Sequence, residues 1–333
     1  MRWQKRTVAA LQTTLKFIVV GNPHVGVHAA EIDPAAKAAL DRQPFSIPHN
    51  RYGLKLLRVV GRLASRYGDH NPPAVGSTRE LTIPGPDGAL SARLYRPESA
   101  AAVPTVVFFH GGGYVFGDLE THDRLARQLT RSSGCALLSV EYRLAPEHPF
   151  PAAVEDAYAA VEWAAENRTR LGGGDELAVA GDSAGGTLAT ICSLMAAERD
   201  GPTIEYQALL YPGVAIDEEQ ESVTQHAGTV LDEADLRYFH NCYFGSEIHE
   251  RNPYAEPSQA DDLSEVAPAT VVTAGFDPLR DGGKAYAEQL LHDGVDVTYR
   301  NYESLVHGFG TLRGVEAADD AVGEVGRDLQ NAL

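Results

Sequence analysis

Gly181-Asp182-Ser183-Ala184-Gly185-Gly186 stands between Glu176-Leu177-Ala178-Val179-Ala180 and Thr187-Leu188-Ala189-Thr190-Ile191-Cys192. The first flank reads as an apolar strand and the second as a helix. A serine on a sharp strand-to-helix turn is forced outward, its hydroxyl exposed above the sheet. The turn is so tight that side chains two residues to either side would collide, hence glycine at 181 and 185. The plainer reading is an ordinary tight turn, and the pentad alone does not separate the two.

Outward from the pentad, Thr105-Val106-Val107-Phe108-Phe109 reads as a buried strand ending at His110-Gly111-Gly112-Gly113. Three glycines leave backbone N–H groups uncovered, and such groups can stabilise a developing oxyanion. A phosphate-cradling loop would place Lys-Ser or Lys-Thr at the helix start. Tyr114-Val115-Phe116-Gly117 offers neither. His110 itself reads as a structural hydrogen-bonding residue. Thr270 to Phe276 is another strand-like run, with Asp277 at its carboxyl end, where α/β enzymes place their chemistry. Asp281 is the rival carboxylate. Its position suits the first turn of the next helix, where it would complement the macrodipole, so Asp277 is preferred. His307, in Leu305-Val306-His307-Gly308-Phe309, is expected in a loop after the strand-like Val295 to Arg300. The order Ser183, Asp277, His307 is that of an α/β-hydrolase triad. In such a triad His307 takes the serine proton and Asp277 fixes the imidazole tautomer.

As an ordered set, these segments resemble the hormone-sensitive-lipase-like branch of the α/β-hydrolases, also called bacterial family IV esterases. Further matching pieces are Gly117-Asp118, Thr121-His122-Asp123 and Tyr142-Arg143-Leu144-Ala145-Pro146-Glu147-His148-Pro149-Phe150-Pro151. The resemblance spans roughly residues 75 to 312. It implies an α/β-hydrolase fold: a mostly parallel central sheet flanked by helices, with a helical cap. It implies catalytic Ser183, Asp277 and His307, and an oxyanion hole from the amides of Gly112, Gly113 and Ala184. It also implies a homodimer through the sheet edge near Val295 to Arg300. The first thirty or so residues exceed the family pattern and do not map onto it.

The rest of the chain supports the same organisation. Arg79 to Pro97 reads as two antiparallel strands joined through Pro84-Gly85-Pro86-Asp87-Gly88. Strands are then expected at Val106–His110, Ala136–Tyr142, Leu177–Ala180, Ala208–Tyr211, Thr270–Ala274 and Val295–Arg300. Helices are expected near His122–Ser132, Ala152–Asn167, Gly185–Glu198 and Gly282–His292. That alternation predicts a parallel sheet covered on both faces. Residues 1–72 and an insert at about 217–265, carrying a helix over Glu233–Tyr243, stand outside it. By resemblance they form a cap on a catalytic domain of residues 73–333. A cap excludes water and shapes the acyl pocket.

Composition narrows the partners. The 333 residues carry a net charge of −18. Residues 1–72 hold eleven Lys and Arg against four Asp and Glu, a net of +7, so the remainder holds −25. That acidic remainder does not suit nucleic acid. Arg51, Lys55, Arg58, Arg62 and Arg66 recur at helical spacing beside Tyr52, Leu56, Val59, Leu63 and Tyr67. This predicts an amphipathic helix with a cationic stripe, read first as a solvated face attracted to the acidic domain. Contact with a lipid surface is the sharper alternative. Arg2, Lys5 and Arg6 before Val8, Leu11, Leu15 and Ile18 repeat the theme. Lys16 interrupts that apolar stretch, so no secretory signal is expected. No apolar run reaches the ~18 residues of a membrane span, and a cytoplasmic location is expected. Cys135, Cys192 and Cys242 suggest neither a disulfide framework nor a metal site. No cofactor is expected.

The chemistry these residues predict is acyl transfer by a serine carboxylesterase on short- to medium-chain acyl esters. An amidase or deacetylase would use the same triad. A non-catalytic small-molecule receptor on the same fold is the alternative of another kind, and the presence of His307 argues against it.

Overall fold

The computed structural model describes residues 31–42, 46–99 and 101–333. The basic and apolar positions expected between Arg2 and Ile18 lie outside the described residues. Among the described residues, eight strands form one sheet. They are β1 (Ser77–Gly85), β2 (Gly88–Arg96), β3 (Val103–Phe109), β4 (Ala136–Glu141), β5 (Gly173–Asp182), β6 (Tyr206–Leu210), β7 (Ala269–Phe276) and β8 (Val297–Val306). Their spatial order is β1-β2-β4-β3-β5-β6-β7-β8. β1 and β2 form an antiparallel hairpin, β2 lies antiparallel to β4, and every pairing from β4 to β8 is parallel.

Helices cover the sheet because adjacent parallel strands need crossovers. In chain order they are α1 (Pro34–Arg42), α2 (Arg51–Gly68), α3 (Asp123–Ser133), α4 (Ala152–Glu166), α5 (Arg168–Leu171), α6 (Ala184–Glu198), α7 (Glu221–His226), α8 (Glu233–Tyr243), α9 (Arg280–His292) and α10 (Glu316–Ala332). Strand periodicity sorts the core into two layers. Val107 and Phe109 point to the side of α4, α6 and α9. Val106 and Phe108 point to the side of α3 and α10. The strands are therefore near-continuously apolar, as a sheet buried on both faces requires.

Three features depart from the sequence expectations. β8 continues to Val306, so His307 follows the strand end directly rather than sitting in a loop several residues later. α10 was not anticipated, and α1, inside the N-terminal region expected to be helical, was not placed. Both bury mainly small residues, Ala36 and Ala39 in one, Ala318, Ala321 and Gly326 in the other, which mute the apolar signal.

α2 is capped by Asn50, whose side chain accepts from the Gly53 amide at 2.8 Å. Its orientation follows charge rather than hydropathy. Arg58 donates to the Val115 and Ala145 carbonyls, both at 2.7 Å, and to Glu147 at 3.0 Å. Arg62 donates to the buried Asp118 at 2.7 Å and also pairs with Glu141. Leu54 is its only buried residue, whereas Tyr52, Leu56, Val59, Val60, Leu63 and Tyr67 are exposed. The cationic stripe thus meets the acidic domain while the apolar stripe faces out. Hydrogen bonding to Asp118 raises Arg62 above its ordinary value despite partial burial. Arg62 is half exposed, so screening limits the gain. Arg62→Ala is expected to cost about 1 kcal/mol. That corresponds to a thermal midpoint lower by about 2–4 °C, checked by a melt. High salt should narrow the difference from the parent.

Candidate active site

β5 ends at Asp182, Ser183 caps α6, and Ser183 takes φ 52°, ψ −123°. A non-glycine residue there is strained. The strain holds because the turn is closed on both sides. A Cβ on Gly181 would lie 2.1 Å from the Gly185 carbonyl oxygen, and one on Gly185 would lie 1.9 Å from that of Phe109. The Ser183 hydroxyl makes no capping bond to its own helix. It meets His307 Nε2 at 3.0 Å instead.

His307 Nδ1 lies 2.8 Å from Asp277 Oδ2. The other Asp277 oxygen accepts from the Leu279 amide at 2.8 Å, fixing the carboxylate across the turn into α9. Asp277 is fully buried and His307 and Ser183 nearly so, at 0, 6 and 9 % exposed. Desolvated charges of this kind interact more strongly than in water. Asp281 takes no part in this chain of bonds. It lies in the first turn of α9, pairs with Arg280 at 2.8 Å and accepts from the Ser222 amide at 2.8 Å, tying α7 to α9.

The glycine loop after β3 lies alongside. Gly112 has φ +120°, and a Cβ there would stand 2.2 Å from the Phe116 carbonyl oxygen. Ala184 is the first residue of α6, where an amide has no intrahelical acceptor. Gly113, Ser183 and Ala184 all line one cavity of about 600 Å³.

A family profile described as an alpha/beta hydrolase fold matches residues 106–311. The esterase LipI of Mycobacterium tuberculosis is 40% identical over 294 residues, covering 86% of this chain and 90% of that protein. The chain belongs to the hormone-sensitive-lipase-like esterases of the alpha/beta-hydrolase fold. The carboxylesterase NlhH of M. tuberculosis is 37% identical over 312 residues, covering 91% of this chain and 97% of that one. Among solved structures, the hyperthermophilic esterase of the archaeon Pyrobaculum calidifontis superposes with a TM-score of 0.84 at 37% identity. It covers 90% of this chain and 98% of that one. A thermostable esterase from Pseudomonas putida gives a TM-score of 0.85 at 32% identity, covering 92% of this chain and 99% of that one.

In this esterase-family chain the sequence reading overlooked Asp182, although it stands inside the pentad. Its Oδ1 accepts from the Gly111 amide at 2.9 Å and lies 3.4 Å from His122 Nε2. Its Oδ2 accepts from the Tyr211 hydroxyl at 3.5 Å, and that hydroxyl accepts from the Gly310 amide at 3.1 Å. One buried carboxylate thereby ties the serine turn to the glycine loop and to the loop after His307. Burial opposes the Asp182 charge, but His122 and the Gly111 amide outweigh it and hold the carboxyl below its ordinary value. Burial likewise opposes a charged His122, yet Asp182 raises it. Burial, with His122 beside it, pushes His110 down to about 4. The Asp182–His122 contact had no signal in local sequence, because 60 residues and two crossovers separate the partners.

No group of three or more His, Cys, Asp or Glu with metal-holding geometry occurs among the described residues. No described helix is long and apolar enough to cross a membrane.

Proposed function

We propose that this chain is a serine carboxylesterase acting through Ser183, His307 and Asp277. Ser183 Oγ attacks the ester carbonyl carbon while its proton passes to His307 Nε2. The C=O pair moves onto oxygen, and the amides of Gly112, Gly113 and Ala184 face that oxyanion. The oxyanion collapses, the C–O bond to the alcohol breaks, and His307 returns its proton to the leaving oxygen. Water then attacks the acyl-enzyme by the same route, releasing the acid and restoring Ser183. Asp277 holds Nδ1–H and stabilises the imidazolium throughout.

The observation that carries this reading is the placement of His307 between Ser183 and Asp277 at 3.0 and 2.8 Å. The cavity beside it suits short- to medium-chain acyl groups. Of the residues 1–72 expected as a cap, the segment from Ile47 through α2 acts with residues 217–265 as a cap in this proposal, whereas α1 packs in the layer of α3 and α10. Support comes from Ile47 and Leu54 packing with Leu231 and Phe239 over Val115 and Ala145. The test compares a short-chain aryl ester with the anilide of the same acid. Ester turnover exceeding anilide turnover by more than a hundredfold is expected. Comparable rates on both would favour an amidase.

A further inference from the structure

Six of the eight large apolar side chains exposed among the described residues lie on α2: Tyr52, Leu56, Val59, Val60, Leu63 and Tyr67. Such concentration differs from the scattered apolar exposure of an ordinary soluble surface. At helical periodicity the six fall on one side of α2, opposite the side that carries Leu54 and Arg58. From Tyr52 to Tyr67 they run for about 22 Å.

Among the described residues, the contacts that hold α2 come from its other side. They are buried Leu54, and Arg58 and Arg62 on the catalytic domain. An exposed helix face accepts polar residues at no packing cost. Six apolar residues in register there call for a second surface.

Charge decides what kind of surface fits. α2 carries five Lys and Arg and no Asp or Glu. Arg58 and Arg62 turn inward to Glu147, Asp118 and Glu141. Arg51 and Arg66 have no carboxylate partner among the described residues, and Lys55 reaches Glu147 only at 4.0 Å. The guanidinium groups of Arg51 and Arg66 stand 5.7 and 5.9 Å from the Tyr52 and Tyr67 rings, one at each end of the apolar stripe. An aromatic ring beside a cation suits the boundary between lipid headgroups and acyl chains. The same face of a second copy would set cations against cations. So would residues 1–30, which hold Arg2, Lys5, Arg6 and Lys16 and no acidic residue. An anionic surface is the complement, and the net −25 of residues 73–333 turns the rest of the protein away from it.

We propose that α2 docks this stripe on an anionic lipid surface. Its apolar side chains sink among the acyl chains while Arg51, Lys55 and Arg66 meet the headgroup phosphates. No residue of α2 lines the Ser183 cavity, so the docking face and the cavity are separate surfaces. Docking of this kind is independent of the nucleophile, because binding needs no turnover.

The experiment mixes the full chain with vesicles of phosphatidylcholine alone, or of phosphatidylcholine and phosphatidylglycerol in equal parts, and reads the fraction that sediments with them. Binding to the anionic vesicles is expected to be at least roughly tenfold stronger and to weaken as salt rises. Leu56→Ser combined with Leu63→Ser should weaken it by roughly tenfold or more. Arg51→Gln combined with Arg66→Gln should remove most of the anionic preference. All four positions are exposed, so both variants should melt within about 2 °C of the parent. No binding, or equal binding to both kinds of vesicle, overturns the proposal. Anionic binding unchanged in both α2 variants overturns it in favour of the basic positions among residues 1–30. A two-chain mass in sedimentation velocity that falls to one chain in the double serine variant assigns the stripe to a second copy, and overturns it as well.

Discussion

Replacing Ser183 with alanine is expected to lower kcat for a short-chain aryl ester by on the order of a millionfold, as loss of a triad serine does elsewhere. The thermal midpoint is expected to stay within about 2 °C of the parent. The two expectations follow from the same geometry. The hydroxyl meets His307 and does not cap its own helix, so no helix-stabilising bond is lost. Alanine meets the same positive φ that serine already bears, so the backbone strain is unchanged. His307→Gln should fall almost as far, and the double variant little further, because the two groups act as a unit. The parent should also release a burst of para-nitrophenolate close to the enzyme concentration if deacylation is the slower step. A Ser183→Ala enzyme retaining more than about a thousandth of parental activity would falsify the nucleophile assignment.

The fold was legible where residue type and spacing carry steric necessity. Gly181 and Gly185 had to be glycine, and the carbonyls of Gly185 and Phe109 now explain why. The β-branched and aromatic runs of β3 and β7 announced strands buried on both faces. Asp277 could be chosen over Asp281 because a strand end and a helix start place carboxylates differently. The helix of the insert, Glu233–Tyr243, was readable from its own spacing and carries an Asp232–Asp235 capping box.

What escaped the sequence has equally physical causes. α10 buries Ala318, Ala321, Val322, Val325 and Leu329. The helical spacing is there, but alanine and glycine dilute it beside Asp319, Asp320 and Glu324. α2 shows a different limit. Its periodicity predicted an amphipathic helix, yet not which stripe turns inward. That choice is made by Asp118, Glu141 and Glu147, which are distant in sequence and draw Arg58 and Arg62 toward them.

Asp182→Ala is expected to cost about 3–5 kcal/mol, the usual result of leaving a buried ion-pair partner uncompensated. The thermal midpoint should fall on the order of 10 °C. The loss exceeds that of Arg62→Ala because Asp182 and His122 are 3 and 6 % exposed, so solvent screens the pair little. A second readout separates a charge effect from lost packing. Asp182 is held below its ordinary 3.8, so its contribution is present above that value and fades as pH falls through the lowered pKa. His122 is raised above its ordinary 6.5, so its contribution is complete below that value and fades as pH rises through the raised pKa. The pair is therefore worth most between about pH 4 and 6.5. In Asp182→Asn, burial pushes His122 down, with Asp118 the carboxylate left opposing it. The fold must then keep His122 neutral, and acidification costs stability. The gap in melting temperature between parent and Asp182→Asn should be widest near pH 5–6 and narrow above neutrality. A gap that is constant from pH 5 to 9 would mean that Asp182 acts through its hydrogen bonds alone. Because Asp182 also holds the Gly111 amide and, through Tyr211, the Gly310 amide, kcat should drop by about tenfold to a hundredfold in Asp182→Asn, even well below its melting temperature. Misplacing the glycine loop weakens the oxyanion contacts without touching Ser183, so the burst should persist while both steps slow.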